Sequence, residues 1–341
     1  MSERSERGRS GASVAGAGAG AAAGAEQSGR RPGAGSVSGA SGGGTGDLAG
    51  TVAWRALHDE AVERLRAAGL PSPEVDARRI VERASGNESA AFALCLSDLV
   101  TVRGVASFDA MMARREGGEP LQYVLGGWGF RTLDLFVDRR VLIPRPETEQ
   151  VVEAALAQLR RIGGTGANAR PVTAVDLGTG SGAIALSLAV EHVHATVWAT
   201  DASADALAVA RANIAGIGRP GGRVRIAEGS WFEALPADLQ GEVDVVVSNP
   251  PYVAEGDELP AEVADWEPRA ALVAGSSGLE ALERVVADAP AWLRPGGALV
   301  VELAPWQARW VADLARQAGF ASAEVGRDLA GRDRMVIAVR P

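Results

Sequence analysis

The chain has 341 residues, of which 47% are hydrophobic, and it carries a formal net charge of −9. Its length allows about two domains, and its acidic balance argues against a protein that wraps a polyanion, because nucleic-acid binders carry a basic surface. No apolar run reaches the ~18 residues of a membrane-spanning helix, so we expect a soluble protein with no membrane association.

A single cysteine, Cys95, excludes an intrachain disulfide and any metal site built from several cysteines. This cysteine usage is typical of a cytoplasmic protein. His192 and His194 lie beside Glu191, but such a cluster on a polar loop is usually only solvated. We therefore expect no metal ion.

Residues 1–50 consist mainly of Gly, Ala and Ser, with scattered Arg and Glu. They contain almost no large apolar residue, so they cannot bury enough surface to offset the loss of chain entropy. The composition predicts a disordered tail. The segment has no apolar stretch of the kind a signal peptide needs, and its acidic residues, Glu3, Glu6 and Glu26, argue against a transit peptide.

Residues 51–118 predict a small all-α domain. A first helix carries apolar residues at helical spacing and stops before Gly69 and Pro71; these apolar residues are Trp54, Leu57, Ala61 and Leu65. Ser72 and Pro73 suit the start of a second helix, whose apolar residues are Val75, Ile80 and Val81. Two more helices are predicted over Ala90–Leu96 and Ser107–Glu116. The unit is too short to be a catalytic domain, which favours a role in docking a substrate.

Residues 119–141 predict a β-hairpin that links two domains. Strand-forming residues cluster around the glycines at Tyr123–Val124, Trp128–Phe130 and Leu133–Val137. The stretch Ile143–Pro146 then reads as rigid and extended, and a helix is predicted from Glu147 through Leu159.

From Val172 onward, strands alternate with helices. Strands are predicted at the start of this region and over Thr196–Thr200, Val224–Ile226, Val243–Val247, Ala298–Glu302 and Met335–Val339. Helices are predicted over Ala204–Ile214, Leu279–Ala289 and Gln307–Ala318. This alternation indicates a parallel, doubly wound α/β sheet.

A glycine-rich turn follows the first of these strands. Its residues, Gly178, Thr179, Gly180, Ser181, Gly182 and Ala183, match G-x-G-x-x-A, whose glycines let backbone N–H groups approach a ligand. Asp201 ends the next strand and would hold ribose hydroxyls in either a dinucleotide or an S-adenosylmethionine site. Asp176 just before the glycines, together with the later N-P-P-Y stretch, favours S-adenosylmethionine.

The stretch V-D-V-V-V-S-N-P-P-Y at 243–252 combines a buried strand with a candidate clamp for an NH₂ group. Pro250 and Pro251 cannot continue the strand because they lack an N–H, so it ends at Asn249. The side-chain carbonyl of Asn249 and the backbone carbonyl of Pro250 can accept both hydrogens of an NH₂ group, and Tyr252 offers a ring to stack against it. Such a clamp suits alkylation of a poor nitrogen nucleophile. Taken alone, the tetrapeptide fits an ordinary Asn-Pro turn equally well.

Five motifs connect the chain to a known family: E-P-L-Q-Y at 119–123, L-I-P-R-P-E-T-E at 142–149, D-L-G-T-G-S-G-A at 176–183, S-N-P-P-Y at 248–252 and W-E-P-R-A-A-L at 266–272. With them, the chain resembles the PrmC/HemK-type protein-(glutamine-N5) methyltransferases. That family modifies the Gln of the Gly-Gly-Gln motif in class I peptide chain release factors. N-P-P-Y is shared with DNA adenine-N6 methyltransferases, whereas the second and fifth motifs are not.

The resemblance implies a Rossmann-like class I S-adenosylmethionine-dependent methyltransferase domain over 142–341, with a last strand that is antiparallel. A helical docking domain at 51–118 and a hairpin linker at 119–141 precede it. The residues implied for the cofactor are Gly178, Thr179, Gly180, Ser181, Gly182, Asp201, Trp231 and Asn249. Those implied for the substrate are Asn249, Pro250, Pro251 and Tyr252, with Asn249, Pro250 and Tyr252 as the catalytic set.

The chain departs from the family pattern at two places. Ser230 stands where the family often has an Asp that touches the adenine, and Glu302-Leu303-Ala304 replaces a common E-x-G. For three residues a purely structural role remains open. Trp231 can be a core aromatic, Arg145 can cap the linker that follows it, and Glu302 is expected to pair with an arginine across the sheet end rather than to act in catalysis.

The resulting prediction is an in-line methyl transfer to a glutamine side chain by a monomeric enzyme whose partner is a release factor. Stable nucleic-acid binding is not expected. One rival is a nucleic-acid adenine-N6 methyltransferase, which would have to flip the target base out of its helix. The other is a non-catalytic release-factor or ribosome-binding module. The intact glycine loop and N-P-P-Y argue against the second rival.

Overall fold

The computed structural model describes residues 51–341, so the predicted tail at 1–50 lies outside the described residues. The described part begins with a helical unit whose five helices are α1 (Trp54–Ala67), α2 (Pro73–Ser85), α3 (Ala90–Cys95), α4 (Val102–Glu116) and α5 (Leu121–Leu125). The periodicity predicted for α1 is confirmed, because its four predicted apolar residues are all buried. They form one core with apolar residues of α2, α3 and α4.

Three details of this unit differ from the predictions. Val75 on α2 is exposed, whereas Ile80 and Val81 are buried as expected. Ser72 occupies the N-cap position of α2, but its side chain makes no capping hydrogen bond. Helix α4 begins well before the predicted Ser107, because Thr101 caps it by accepting a hydrogen bond from the Gly104 N–H at 3.0 Å.

A short hairpin of two antiparallel strands, β1 (Trp128–Phe130) and β2 (Leu133–Leu135), follows the helical unit. The predicted strand at Tyr123–Val124 is wrong, since both residues lie in α5. Pro120 precedes the first turn of this helix, and Gly126 ends it in a left-handed conformation. Side chains of α5 pack into the core of the helical unit, and that packing outweighs their preference for strands.

The rest of the chain forms an α/β domain. Its helices are α6 (Thr148–Gly163), α7 (Ala183–Glu191), α8 (Ala204–Gly216), α9 (Ala261–Ala264), α10 (Glu280–Trp292) and α11 (Ala308–Gln317). Its strands are β3 (Val172–Leu177), β4 (Ala195–Asp201), β5 (Val224–Glu228), β6 (Val243–Ser248), β7 (Val253–Ala254), β8 (Val273–Gly275), β9 (Leu293–Glu302), β10 (Ser322–Arg327) and β11 (Asp333–Val339).

Seven of these strands form one sheet in the order β10-β11-β9-β6-β3-β4-β5. The five strands from β9 to β5 are parallel to one another, which confirms the doubly wound prediction. Strand β11 is antiparallel to β9, as the family resemblance implied. Strand β10, which pairs with β11 at the sheet edge, was not predicted; it is largely solvent-exposed and so lacks a continuous apolar run.

The sheet has its topological switch point between β3 and β6. From β3 the chain proceeds outward through β4 and β5, and it then returns to place β6 and β9 on the other side. Every residue of β6 is buried, as predicted for a strand covered on both faces. Leu177 at the end of β3 pairs with Ser248 at the end of β6. The glycine-rich turn and the N-P-P-Y stretch therefore start side by side, where open α/β sheets bind ligands. Among residues 51–341, no helix is long and apolar enough to cross a membrane.

Candidate active site

A cavity of about 380 Å³ opens at the carboxyl ends of β3, β4 and β6. The predicted site residues in its lining are Gly178, Thr179, Gly180, Ser181, Asp201, Trp231, Asn249 and Pro251. Gly182, Pro250 and Tyr252 lie outside this lining. The remaining wall comes mainly from two segments, residues 140–148 and 268–271. These segments overlap the L-I-P-R-P-E-T-E and W-E-P-R-A-A-L motifs.

The glycine-rich turn takes a backbone path that other residues rarely adopt. Gly178, Gly180 and Gly182 have φ angles of 72°, 55° and 87°, in the left-handed region where only glycine is free of strain. A Cβ atom at Gly182 would also lie 3.2 Å from Leu186 Cδ1, so this glycine serves the close packing at the start of α7. The path leaves the backbone of the turn facing the cavity.

The Asp176 side chain stabilises this turn through hydrogen bonds. Its fully buried carboxylate accepts hydrogen bonds from the Thr179 hydroxyl at 2.6 Å and from the Ala185 N–H at 3.0 Å. Its second oxygen has no hydrogen-bond partner among the described residues. Burial raises the pKa of Asp176 to about 7, against the two hydrogen bonds that favour its charged form. Asp176 therefore fixes the turn from a position outside the cavity lining.

Asp201 joins the end of β4 to the glycine turn. One of its carboxylate oxygens accepts the Gly180 N–H at 2.9 Å, and the other accepts the Ser203 N–H at 2.9 Å. Each carboxylate oxygen has a further lone pair, and the residue is only partly buried and lines the cavity. Asp201 can therefore accept two more hydrogen bonds from a pair of ribose hydroxyls.

Trp231 forms part of the cavity wall and also contacts the core. It packs against the cluster around the sheet, and a Cβ atom at Gly178 would lie 4.0 Å from its Cζ3 atom. The neighbouring Phe232 is the fully packed aromatic, stacked on Trp292 with ring centroids 5.7 Å apart. Trp231 thus offers a ring to a ligand while anchored at its edge, and Ser230 lines the cavity beside it.

The clamp residues start where β6 ends. The Asn249 side-chain nitrogen donates to Thr148 Oγ1 at 3.4 Å, and the Tyr252 carbonyl accepts a hydrogen bond from Gln307 Nε2 at 3.0 Å. No residue within 51–341 donates a hydrogen bond to Asn249 Oδ1 or to the Pro250 carbonyl. Neither acceptor is therefore used by the described chain; Asn249 lines the cavity, whereas the buried Pro250 adjoins it in the chain and lies outside the lining.

Glu302, at the end of β9, lies behind the clamp. It accepts a hydrogen bond from the Thr148 hydroxyl at 2.7 Å. The predicted ion pair with an arginine is wrong, because no arginine of the described chain forms one with Glu302, and the nearby Arg334 pairs with Asp328 instead. Burial raises the pKa of Glu302 to about 7, although Thr148 and Arg334 favour its charged form.

Arg145 pairs with Glu267 across the cavity wall, rather than capping the linker that follows it. The Glu267 carboxylate also accepts the Ile143 N–H at 3.1 Å. The pair therefore fastens the two motif segments to each other. Sequence reasoning quoted both motifs but did not pair these two side chains, because they lie far apart in the chain.

Two other residues of the site were missed by sequence reasoning. Asp176 was used only as a sign of the cofactor class, and Thr148 was given no role. The available signal for Thr148 was its place in L-I-P-R-P-E-T-E, at the start of a helix that leads away from the site. Within residues 51–341, no group of three or more His, Cys, Asp and Glu side chains is placed to hold a metal ion.

Comparison with known proteins identifies similar chains. Family models match residues 56–126 as "PrmC N-terminal domain" and residues 167–265 as "Methyltransferase small domain". A release factor glutamine methyltransferase from Cereibacter sphaeroides is 42% identical over 287 residues, which cover 82% of this chain and 96% of that relative. One from Bifidobacterium longum is 40% identical over 293 residues, covering 82% and 97%. A solved structure of a release factor-specific protein-(glutamine-N5) methyltransferase from Alicyclobacillus acidocaldarius is 28% identical, covers 58% of this chain and 94% of its own, and superposes with a TM-score of 0.35.

Proposed function

This chain belongs to the release factor glutamine methyltransferase family, and we propose that it methylates the side-chain N5 of the glutamine in the Gly-Gly-Gln motif of class I peptide chain release factors. The methyl donor is S-adenosylmethionine. The observation that carries the proposal is a pair of acceptors to which no residue of 51–341 donates, Asn249 Oδ1 at the cavity and the carbonyl of the adjoining Pro250. A release-factor substrate implies a cytoplasmic setting.

The cavity suits S-adenosylmethionine in size and in chemistry. Its volume of about 380 Å³ lies within the range of small-molecule pockets. Asp201 would hold the ribose hydroxyls, Trp231 would flank the adenine, and the turn from Gly178 to Gly182 would receive the amino-acid end. When bound, S-adenosylmethionine supplies an electrophilic methyl group on a sulfonium centre.

The chain's own contribution to the chemistry is orientation. An amide nitrogen is a poor nucleophile, so holding its two hydrogens on Asn249 Oδ1 and the Pro250 carbonyl aims the nitrogen at the methyl group. The Tyr252 ring would stack against the amide plane. The amide proton becomes acidic only as the N–C bond forms, so water or the clamp carbonyls can accept it late, without a dedicated strong base.

Substrate selection requires contacts remote from the clamp, since every Gln and Asn side chain carries the same amide. We assign this docking role to the helical domain at 51–118, with the hairpin region at 119–141 as a linker to the catalytic domain at 142–341. Arg115 of α4 supports a fixed geometry: its buried guanidinium contacts Asp76 at 2.7 Å within the helical unit and Glu262 on α9 at 2.8 Å. Binding energy from such remote contacts would position the glutamine.

A nucleic-acid adenine-N6 methyltransferase is the principal rival, because its target also presents an NH₂ group. Two observations favour a protein substrate. The chain carries a net charge of −9. Arg145 and Glu267 also join two motifs that adenine-N6 methyltransferases do not share. To separate the two, the protein is incubated with methyl-labelled S-adenosylmethionine and either a purified class I release factor or duplex DNA. We expect label in the release factor alone. Label in the DNA with none in the release factor would overturn the proposal.

A further inference from the structure

We propose that Thr148 and Glu302 are positioning residues that fix the orientation of the Asn249 side-chain amide, so that its carbonyl oxygen faces the substrate. This inference rests on the proposed function and adds to it the reason why the clamp presents an acceptor rather than a donor. Thr148 lies in the first turn of α6 and Glu302 at the end of β9. Three separate segments therefore meet at this point.

The direction of each hydrogen bond follows from the number of hydrogens available. The Thr148 hydroxyl has one hydrogen, and it is donated to the Glu302 carboxylate at 2.7 Å, an acceptor-only group when charged. While Glu302 is charged, Thr148 Oγ1 can only accept from Asn249. The nitrogen of the Asn249 amide must turn toward Thr148, where it lies at 3.4 Å.

The same orientation leaves Asn249 Oδ1 directed away from Thr148, with no donor to it from any residue of 51–341. An inverted amide would present its NH₂ group to the NH₂ group of the substrate, placing donor against donor. Such an amide cannot accept the substrate's hydrogens. The orientation of Asn249 therefore decides whether the clamp works, although neither Thr148 nor Glu302 needs to touch the reacting nitrogen.

Glu302 fills this role in its charged form, which burial disfavours and several neighbouring groups favour. Its side chain is almost fully buried, Arg334 on β11 favours its charged form, and Glu147 before α6 opposes it. Tyr252, the other clamp side chain, also favours the charged form through its hydroxyl. Glu302 is thereby linked to Asn249 through the Thr148 hydroxyl, and the Tyr252 hydroxyl influences its charge.

The test uses two substitutions at Thr148, of which one removes the hydroxyl and the other keeps it. Thr148→Val keeps the branched shape but has no oxygen, whereas Thr148→Ser keeps the oxygen. We expect Thr148→Val to lower kcat toward an intact release factor by about tenfold or more, in line with one lost hydrogen bond to a charged group. KM and the affinity for S-adenosylmethionine, measured by calorimetry, should change less than threefold. Thr148→Ser should restore most of kcat.

Substitutions at Glu302 test the second link. Glu302→Gln retains a side-chain oxygen that can accept from Thr148, so kcat at neutral pH should stay within about threefold of the unaltered protein. Glu302→Ala frees the Thr148 hydroxyl to donate to Asn249 Oδ1, and its loss of kcat should match that of Thr148→Val. Thr196→Val, on β4 and without a side-chain hydrogen bond in the described chain, is the matched control and should behave as the unaltered protein.

The outcomes separate this inference from the proposed function. If the unaltered protein does not methylate the release factor, the proposed function fails. If it does, but Thr148→Val keeps full kcat, or Thr148→Ser is as impaired as Thr148→Val, the positioning role is wrong. A loss confined to cofactor affinity in Thr148→Val would equally overturn it, because the residue would then serve the cofactor site.

Discussion

Arg145 and Glu267 form an ion pair that joins two segments of the cavity wall separated by more than a hundred residues of chain. Glu267 is nearly completely buried, and it also accepts the Ile143 N–H at 3.1 Å. A buried carboxylate that loses its partner is costly. The pair therefore explains how the two motif segments are held to each other at the cavity.

Replacement of Arg145 by Met tests this explanation. The change leaves the Glu267 charge buried without its cation, which costs on the order of 3–5 kcal/mol when both partners are buried and less here because Arg145 is partly exposed. We expect a melting temperature several degrees lower and weaker S-adenosylmethionine binding. Arg309→Met on α11 is the control, since Arg309 is exposed and makes no ion pair within residues 51–341. Equal behaviour of the two variants would contradict the explanation.

Asp201→Asn should weaken S-adenosylmethionine binding while the protein remains folded. The substitution halves the acceptor capacity of a side chain that already serves the Gly180 and Ser203 N–H groups, so fewer lone pairs remain for a ribose. Loss of hydrogen bonds to a charged group costs on the order of 1.5–3 kcal/mol, or about ten- to a hundredfold in affinity. Calorimetric titration measures it, with the exposed Asp205→Asn on α8 as control. Unchanged affinity would remove Asp201 from the cofactor site.

Asn249→Ala should reduce kcat far more than it raises KM. The clamp acts by orienting the nitrogen during the reaction, and loss of one well-placed polar contact of this kind typically costs ~10²–10³ in rate. Single-turnover assays on a release factor give the rate of the chemical step directly. The exposed Asn168→Ala serves as control. Near-normal turnover of Asn249→Ala would show that the stretch is an ordinary turn.

The buried carboxyl of Asp176 makes stability depend on pH. Burial, the largest influence, raises its pKa from 3.8 to about 7 in the folded chain. A raised carboxyl pKa gives stability that is complete below the unfolded value and is lost as the pH rises through the folded value. The Asp176→Asn variant has no carboxyl at this position, so it does not lose stability in this way as the pH rises. Relative to the unaltered protein without cofactor, the variant should gain on the order of 4 kcal/mol in unfolding free energy between pH 4 and pH 8. Denaturant titrations of both proteins at the two pH values measure the change. If the variant and the unaltered protein differ in unfolding free energy by the same amount at both pH values, the prediction is refuted.

The helical unit exposes three large apolar side chains close together in the chain, Leu94, Leu99 and Val102, with exposures of 78%, 52% and 90%. Exposed apolar groups that cluster mark interaction surfaces. If the unit docks the release factor, the double variant Leu94→Glu/Val102→Glu should lower kcat/KM toward the intact factor at least tenfold, but not toward a short Gly-Gly-Gln peptide. Val193→Glu, at an exposed position of the α/β domain, is the control. An equal effect on both substrates would argue against docking there.

Much of the fold could be predicted because its signals are local. The spacing of Trp54, Leu57 and Leu65 defines α1, and the valine run before Asn249 defines β6. Predictions failed where tertiary packing decided the outcome. Tyr123 and Val124 have strand propensity but lie in α5, because the helical unit buries one face of that helix.

The site was predicted to a lesser extent, for a related reason. Sequence motifs located the glycine turn, Asp201 and Asn249 at the cavity. They did not indicate which side chains support these residues from behind. The contact of Thr148 with Glu302 spans 154 positions of sequence, and no local pattern connects two residues so far apart. Glu302 was accordingly expected to pair with an arginine, whereas its partner is a threonine hydroxyl.

The most direct test of the central claim is to locate the transferred methyl group. A purified class I release factor is incubated with the protein and S-adenosylmethionine, then digested and sequenced by mass spectrometry, alongside a release factor whose Gly-Gly-Gln glutamine is replaced by Glu. We expect a gain of one methyl group on the side chain of that glutamine, and none on the replaced factor. Methylation at another residue, or methylation that persists in the replaced factor, would contradict the account.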